Sequence, residues 1–119
     1  MQTVVFHIIG ANAWAGAQHA GEYMPEGFHE EGFIHLSKRQ QILRPANLLF
    51  KGRSDLVLLE IDVEALTAEL RYEPGSHGED EMFPHLYGPL NLNAVREVHI
   101  FNCGADGTFT LPASVAQAR

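Results

Sequence analysis

The segment Gly32–Ser37 (GFIHLS) places a titratable side chain inside a run that otherwise favours a buried strand. Its apolar residues are of types common in pleated, half-buried strands. The imidazole of His35 needs hydrogen-bond partners if the strand is buried. Lys38–Phe50 follows with a helix-like composition, and we expect the Ser37 hydroxyl to cap its first turn. The segment predicts a strand, a histidine at its end and a helix N-terminus that favours anions.

Two further histidines lie in similar apolar surroundings. His7 belongs to Thr3–Ile9 (TVVFHII), which is β-branched and aromatic and predicts the first strand. His85 belongs to Phe83–Leu90 (FPHLYGPL). One such histidine is usually a structural residue with paired nitrogens, whereas three in a short domain indicate that at least two share a pocket. Imidazole titrates near neutral pH, which suits acid–base chemistry or ligand orientation.

The rest of the pattern predicts a single α+β domain over residues 1–119. Asp55–Ile61 (DLVLLEI) is the most continuous apolar run and the expected central strand. Further strands are expected at Glu69–Glu73, Ala94–Phe101 and Thr108–Leu111. Helices are expected at 13–20 and 38–50, with Pro45 in the first turn of a second helical piece. Loops are expected at Gly21–Glu31 and Pro74–Met82, and a frayed tail from Pro112. We therefore expect about six strands and two or three short helices.

Composition excludes several classes of protein. The net charge of −7, from 15 acidic and 8 basic residues, disfavours a broad nucleic-acid surface, which needs clustered Lys and Arg. The single cysteine, Cys103, excludes an internal disulfide and is compatible with a reducing compartment. The first residues lack the pattern of a signal peptide, and no apolar run approaches the roughly 20 residues of a membrane span. We expect a cytoplasmic protein with no membrane partner and a small-molecule or nucleotide ligand.

Histidines and carboxylates also raise the alternative of a metal-dependent hydrolase. Two segments could supply ligands: His29, Glu30, Glu31 and His35 in the first, and His77, Glu79, Asp80 and Glu81 in the second. Neither spacing matches a helical two-histidine site or a zinc finger. We expect solvated loops in both places and no metal site, so the hydrolase stays the weaker alternative.

Several motifs together carry a family resemblance. FHII, GFIHLS, DLVLLEID, RYE and FPHLYGPLNLNAV occur in this order over nearly the whole chain. This set resembles family 952 of bacterial domains of unknown function. That family is similar to the ADP-ribosyltransferase-like fold, above all to the RNA 2′-phosphotransferase branch, which carries one histidine on an early strand and another in an HLS-like motif. His7 and His35 match those positions, and the resemblance implies a split, mixed β-sheet around an NAD-binding cleft.

The resemblance also implies roles for individual residues. His7 would orient the ribose of NAD, and His35 with Ser37 would line the nicotinamide or phosphate side. The residues themselves leave two roles open for Tyr87, which precedes an expected turn at Gly88: it would stack on a flat ligand ring, since an exposed aromatic side chain at a cleft is a good platform, or it is a core tyrosine beside a structural turn. NAD is accordingly the cofactor that the resemblance implies.

The third functional position lies on a later strand, and the sequence leaves it open among His85, Tyr87 and Glu97. Glu97 is the strand-borne carboxylate that could stabilise an oxocarbenium-like state. The resulting expectation is an NAD- or ADP-ribose-dependent transferase, for ADP-ribosyl or 2′-phospho transfer, that acts on a small or nucleotide substrate. Its catalytic residues would be His7, His35, His85 and Glu97.

Two departures from the phosphotransferase pattern favour a different alternative. Ile8 and Ile9 stand where those enzymes have glycine and threonine, and no arginine precedes His35. The backbone contacts that a glycine permits at a ligand are thereby altered. The alternative is a non-enzymatic module that binds a nucleotide or metabolite in the same cleft.

Overall fold

Strands dominate the computed structural model, which describes residues 3–75 and 80–116. The described strands are β1 (Val4–Gly10), β2 (Glu22–Tyr23), β3 (Ile34–His35), β4 (Leu56–Asp62), β5 (Glu69–Pro74), β6 (Met82–Tyr87), β7 (Leu90–Asn91) and β8 (Val95–Ile100). The described helices are α1 (Ala11–Ala20), α2 (Phe28–Glu31), α3 (Leu43–Leu49) and α4 (Ala113–Ala116), with 3₁₀ turns at Arg39–Gln41, Val63–Ala65 and Leu92–Ala94. None of these helices is both long and apolar enough to cross a membrane.

The strands form three sheets, in the orders β1-β4-β8, β2-β7 and β3-β6-β5. The predicted α+β class is confirmed. The expected mixed sheet is wrong, because every strand pairing among the described residues is antiparallel. The expectation of parallel strands rested only on the family resemblance, because a hydrophobic pattern shows which residues are buried and not which way a neighbouring strand runs.

β4 is the central strand of its sheet, as its continuous apolar run predicts. Leu59 and Ile61 pack into one core cluster, while Leu56 and Leu58 pack into a second cluster on the other face. All four are at most 1% exposed. A strand that is buried on both faces needs apolar residues at successive positions, which explains the run.

The sheet β3-β6-β5 has one buried face and one face that carries the histidines. Residues directly opposite each other in an antiparallel pair share a face. Ile34 pairs with Leu86, and both belong to the first core cluster. His35 pairs with His85, so both imidazoles lie on the other face.

The segment after β3 differs from its predicted helix cap. Ser37 lies one residue too early to cap, and its backbone N–H and C=O instead pair with Phe6. The Gln41 side chain accepts a hydrogen bond of 2.9 Å from the Lys38 N–H, at the start of the 3₁₀ turn. The helical segment does break near Pro45, which lies in the first turn of α3 as expected.

Three local predictions are wrong, two of them because tertiary contacts stabilise elements too short for a periodic signal. The predicted loop Gly21–Glu31 contains β2 and α2. Thr108–Leu111 follows a turn at Gly107, whose φ is +87°, but forms no strand. The expected frayed tail includes α4, in which Val115 is fully buried.

Gly88, directly after β6, is a site where a side chain has no space. A Cβ there would lie 2.6 Å from the Cβ of Ala68. We expect Gly88→Ala to lower the free energy of unfolding by about 1–3 kcal/mol, the usual cost of overpacking. Gly16→Ala in α1 is the control: nothing lies within 4 Å, and alanine favours the helix by roughly 0.5–1 kcal/mol. Urea denaturation measures both variants, and an unchanged Gly88→Ala variant would contradict the steric argument.

Candidate ligand-binding cleft

A cleft of about 210 Å³ lies among β1, β3, β6 and α3. We call it the histidine cleft, because His7, His35 and His85 all line it. Its other walls are mostly apolar and aromatic and include Leu49, Phe50 and Phe83. Three histidines from three strands therefore share one crevice, as the sequence predicts.

His7 is held by hydrogen bonds within the protein. Its Nδ1 is 2.8 Å from the backbone carbonyl of His35, and its Nε2 is 3.4 Å from the Tyr23 hydroxyl. A carbonyl only accepts, so Nδ1 carries the proton and Nε2 is the acceptor. Burial lowers the pKa of His7 from 6.5 to about 4, although the bond to the His35 carbonyl opposes this shift. His7 is therefore neutral at neutral pH and acts as a fixed hydrogen-bonding group.

His85 presents an acceptor nitrogen from the middle of β6. The residue is only 3% exposed, and its Nδ1 donates to the Phe83 carbonyl at 2.8 Å. The neutral ring therefore has its lone pair on Nε2. Because His85 lines the cleft, this nitrogen can accept a hydrogen bond or a proton from a ligand.

His35 lies at the more open side of the cleft. Its side chain is 46% exposed, and its Nε2 is 3.4 Å from a carboxylate oxygen of Glu31. Phe33 packs edge-on against the rings of both His35 and His85, with centroids 4.9 and 4.7 Å away. Phe33 thus fixes the orientation of two imidazoles whose own centroids are 5.7 Å apart.

Ser37 is the fourth predicted residue that lines the cleft. It is 8% exposed, and its backbone exchanges hydrogen bonds of 2.7 and 2.8 Å with Phe6 of β1. These bonds fix the distance between β1 and the segment that follows β3. His7, His35, Ser37 and His85 are the predicted residues that the fold brings together.

Neither Tyr87 nor Glu97 lines the histidine cleft, although the Tyr87 ring packs against Phe33 with centroids 5.5 Å apart. The Tyr87 hydroxyl donates to the Glu73 carboxylate, which raises the pKa of that tyrosine, and the Arg71 guanidinium lies 4.6 Å from its ring centroid. Glu97 is exposed on β8, in the other three-stranded sheet, beside a shallow groove that also contains Trp14. Of the three residues left open for the third position, His85 is the one at the cleft.

Sequence reasoning missed the apolar walls of the cleft. Phe83 lies two residues before His85 on β6 and therefore on the same face, a signal that strand periodicity offers. Leu49 and Phe50 come from the end of α3 and give no such signal, because their position depends on how the helix packs.

The metal alternative receives no support from the described residues. Among residues 3–75 and 80–116, no three His, Cys, Asp or Glu side chains cluster in a way that could hold a metal ion. His77 and Glu79 of the second expected segment lie outside this part of the chain. The metal-dependent hydrolase stays a prediction, which elemental analysis of the purified protein would test.

Comparison with known proteins gives a matching family and a solved structure to which the chain is similar. The family described as "Protein of unknown function (DUF952)" matches residues 8–98. The chain is similar to protein CC0527 from Caulobacter crescentus, with 32% sequence identity. The match to its crystal structure has a TM-score of 0.84 and covers 96% of this chain and 99% of CC0527. Its solution NMR structure is 33% identical, with a TM-score of 0.77 over 91% and 92% of the two chains. No curated protein matches the chain. The match over most of the sequence, together with this structural similarity, shows that the chain belongs to the DUF952 family of proteins of unknown function.

Proposed function

We propose that this protein is a binding module for a small, planar heteroaromatic ligand, held in the histidine cleft. The observation that carries the proposal is the shape and chemistry of that cleft: a mostly apolar, aromatic crevice with the acceptor imidazole of His85 in its wall. Ligand pockets are commonly apolar with a few polar groups that fix orientation. A flat ring with an N–H or amide donor satisfies both features, as a nucleobase or nicotinamide does.

The volume of the cleft limits the size of the ligand that it can enclose. Its volume of about 210 Å³ lies below the roughly 300–1,000 Å³ of pockets that enclose drug-sized molecules. A single ring with a carboxamide or amino group matches this volume better than a whole dinucleotide. NAD fits only in part: its nicotinamide ring could contact Phe83 and His85, and the rest of the molecule would lie outside the enclosed space.

Electrostatics also favour binding over transfer. Cleavage of the bond between ribose and nicotinamide needs a negative group near the developing positive charge. The described residues that line the cleft include no aspartate or glutamate: the Glu31 carboxylate lies 3.4 Å from the His35 Nε2 but does not line the cleft, and Glu97 lies in the other sheet. A module that binds its ligand without turnover requires no such carboxylate.

The second candidate is an ADP-ribosyltransferase-like enzyme that uses NAD or ADP-ribose on a small or nucleotide substrate. One observation favours it: His7 donates to the backbone of His35 at 2.8 Å, so the two histidines that match the phosphotransferase pattern are in contact at the cleft. When bound, NAD would supply a ribose activated for transfer. His7 and His35 would then position that ribose, and His85 would accept a proton.

Calorimetric titration tests the binding proposal. We expect nicotinamide or adenine to bind, and His85→Ala to weaken that binding by about tenfold or more, the loss expected when one buried hydrogen bond of roughly 1.5 kcal/mol is removed. His19→Ala, at an exposed position of α1, serves as the matched control and should bind like the unaltered protein.

Two results separate the candidates. Release of nicotinamide from NAD by the unaltered protein, lost in His7→Ala, would support the transferase and overturn the module. Absence of heat with nicotinamide, adenine, NAD and ADP-ribose at millimolar concentration would contradict both proposals. Binding without consumption of NAD is the outcome that the module requires.

A further inference from the structure

A second polar cluster lies on the sheet β1-β4-β8, and none of its members lines the histidine cleft. Glu60 on β4, His99 on β8 and Ser114 on α4 form a hydrogen-bonded chain. The His99 Nε2 is 2.9 Å from a carboxylate oxygen of Glu60, and its Nδ1 is 2.8 Å from the Ser114 hydroxyl. A hydroxyl, a base and a group that orients the base, all within hydrogen-bond reach, are the signature of an activated nucleophile.

When His99 is neutral, its two hydrogen bonds determine which ring nitrogen carries the proton. An ionised carboxylate only accepts, so neutral His99 carries its proton on Nε2 and donates it to Glu60. The unprotonated Nδ1 then accepts from the Ser114 hydroxyl. His99 is therefore in the tautomer that can remove the hydroxyl proton, and Glu60 would stabilise the imidazolium that forms.

The surroundings combine a fixed base with an accessible hydroxyl. The side chains of His99 and Glu60 are only 9% and 13% exposed, whereas Ser114 is exposed to solvent. The next residue, Val115, is fully buried, and its carbonyl accepts a hydrogen bond of 3.1 Å from Arg39. The burial of the Val115 side chain and the hydrogen bond to its carbonyl anchor α4 on the protein, and this holds Ser114 next to His99.

We infer that Ser114 is an activated nucleophile that reacts with small activated acyl esters or thioesters. Its Oγ forms a bond to the acyl carbon as the Oγ proton passes to the His99 Nδ1. The bond to the alcohol or thiol breaks, and that leaving group takes the proton from His99. Water then hydrolyses the acyl-Ser114 by the same route, so the free acid leaves and the hydroxyl is restored. This activity is independent of the ligand proposed for the histidine cleft.

Labelling with a fluorophosphonate tests the inference on the full chain. In that reaction Oγ bonds to phosphorus, the P–F bond breaks, fluoride leaves, and the proton passes through His99 to solvent. We expect one adduct, located on Ser114 by peptide mass spectrometry and formed at least about 100-fold faster than at the exposed Ser54. Ser114→Ala should abolish the adduct, Ser54→Ala should leave it unchanged, and His99→Gln and Glu60→Gln should slow it by roughly tenfold or more.

A purely structural hydrogen-bonded chain gives a different result. It would leave Ser114 no more reactive than Ser54, and labelling that is absent, equal at both serines or insensitive to Glu60→Gln would overturn the inference. Circular dichroism checks that each variant is folded. If His99→Gln fails to fold, the ratio of labelling rates at Ser114 and Ser54 in the unaltered protein still decides the question.

Discussion

Replacing Ile61 by alanine is expected to lower the free energy of unfolding by about 2–5 kcal/mol. Ile61 lies in the central strand β4, is 0% exposed and belongs to the core cluster on one face of the sheet. The variant would lose the transfer free energy of the deleted methyl groups and leave a cavity, because the sheet on both sides limits relaxation. Denaturation by guanidinium chloride, monitored by circular dichroism, measures the change.

Ile100→Ala is the matched control for this prediction. Ile100 lies on the neighbouring strand β8 and is 76% exposed. Its truncation is expected to change stability by no more than about 0.5 kcal/mol. Equal losses in the two variants would show that Ile61 does not occupy a packed core position. A fall in the denaturant slope of either variant would instead indicate a change in the unfolded or native state.

The stability of the protein is expected to fall as the pH is lowered from about 6.5 to about 4, by up to roughly 3 kcal/mol from His7 alone. Burial depresses the pKa of His7 in the folded state to about 4, while the unfolded chain titrates near 6.5. Between these values the unfolded state binds more protons, so protonation favours unfolding. The contribution is complete above pH 6.5 and is lost as the pH approaches 4.

Urea denaturation at several pH values tests this contribution with two glutamine variants. His7→Gln cannot take up the proton, so its stability should change less between pH 6.5 and 4 than that of the unaltered protein. His19→Gln, at an exposed position of α1, should keep the full pH dependence. If His7→Gln and His19→Gln show the same pH dependence, His7 is not the buried titrating group.

The long apolar runs were predictable from the sequence because most of their residues pack into the core from a regular strand. β1 and β4 are seven residues long and carry the alternating or continuous patterns that strands require. The break before α3 was equally predictable, since Pro45 fits the first turn of a helix and not its interior. Elements of two to four residues, such as β2 and α4, gave no periodic signal. Contacts with distant residues stabilise them: β2 pairs with β7, and Val115 of α4 is fully buried.

The composition of the candidate site was predictable only in part. A histidine inside an apolar strand needs hydrogen-bond partners for its ring nitrogens, and this requirement identified His7, His35 and His85 as candidate site residues. Strand register then decided which residues met: His35 is directly opposite His85, whereas Glu97 is opposite Glu60 in another sheet. The same register places His99 within reach of Glu60, a contact between residues 39 positions apart that the sequence does not indicate.

The sequence by itself determined the α+β class, the central strand and the histidines that need partners, because these follow from local hydrophobicity and the cost of burying an imidazole. Only the tertiary structure decided the antiparallel pairing, the walls of the cleft and the fact that Tyr87 and Glu97 do not line it. Those features depend on the register and packing of strands far apart in the chain, which local residue patterns do not encode.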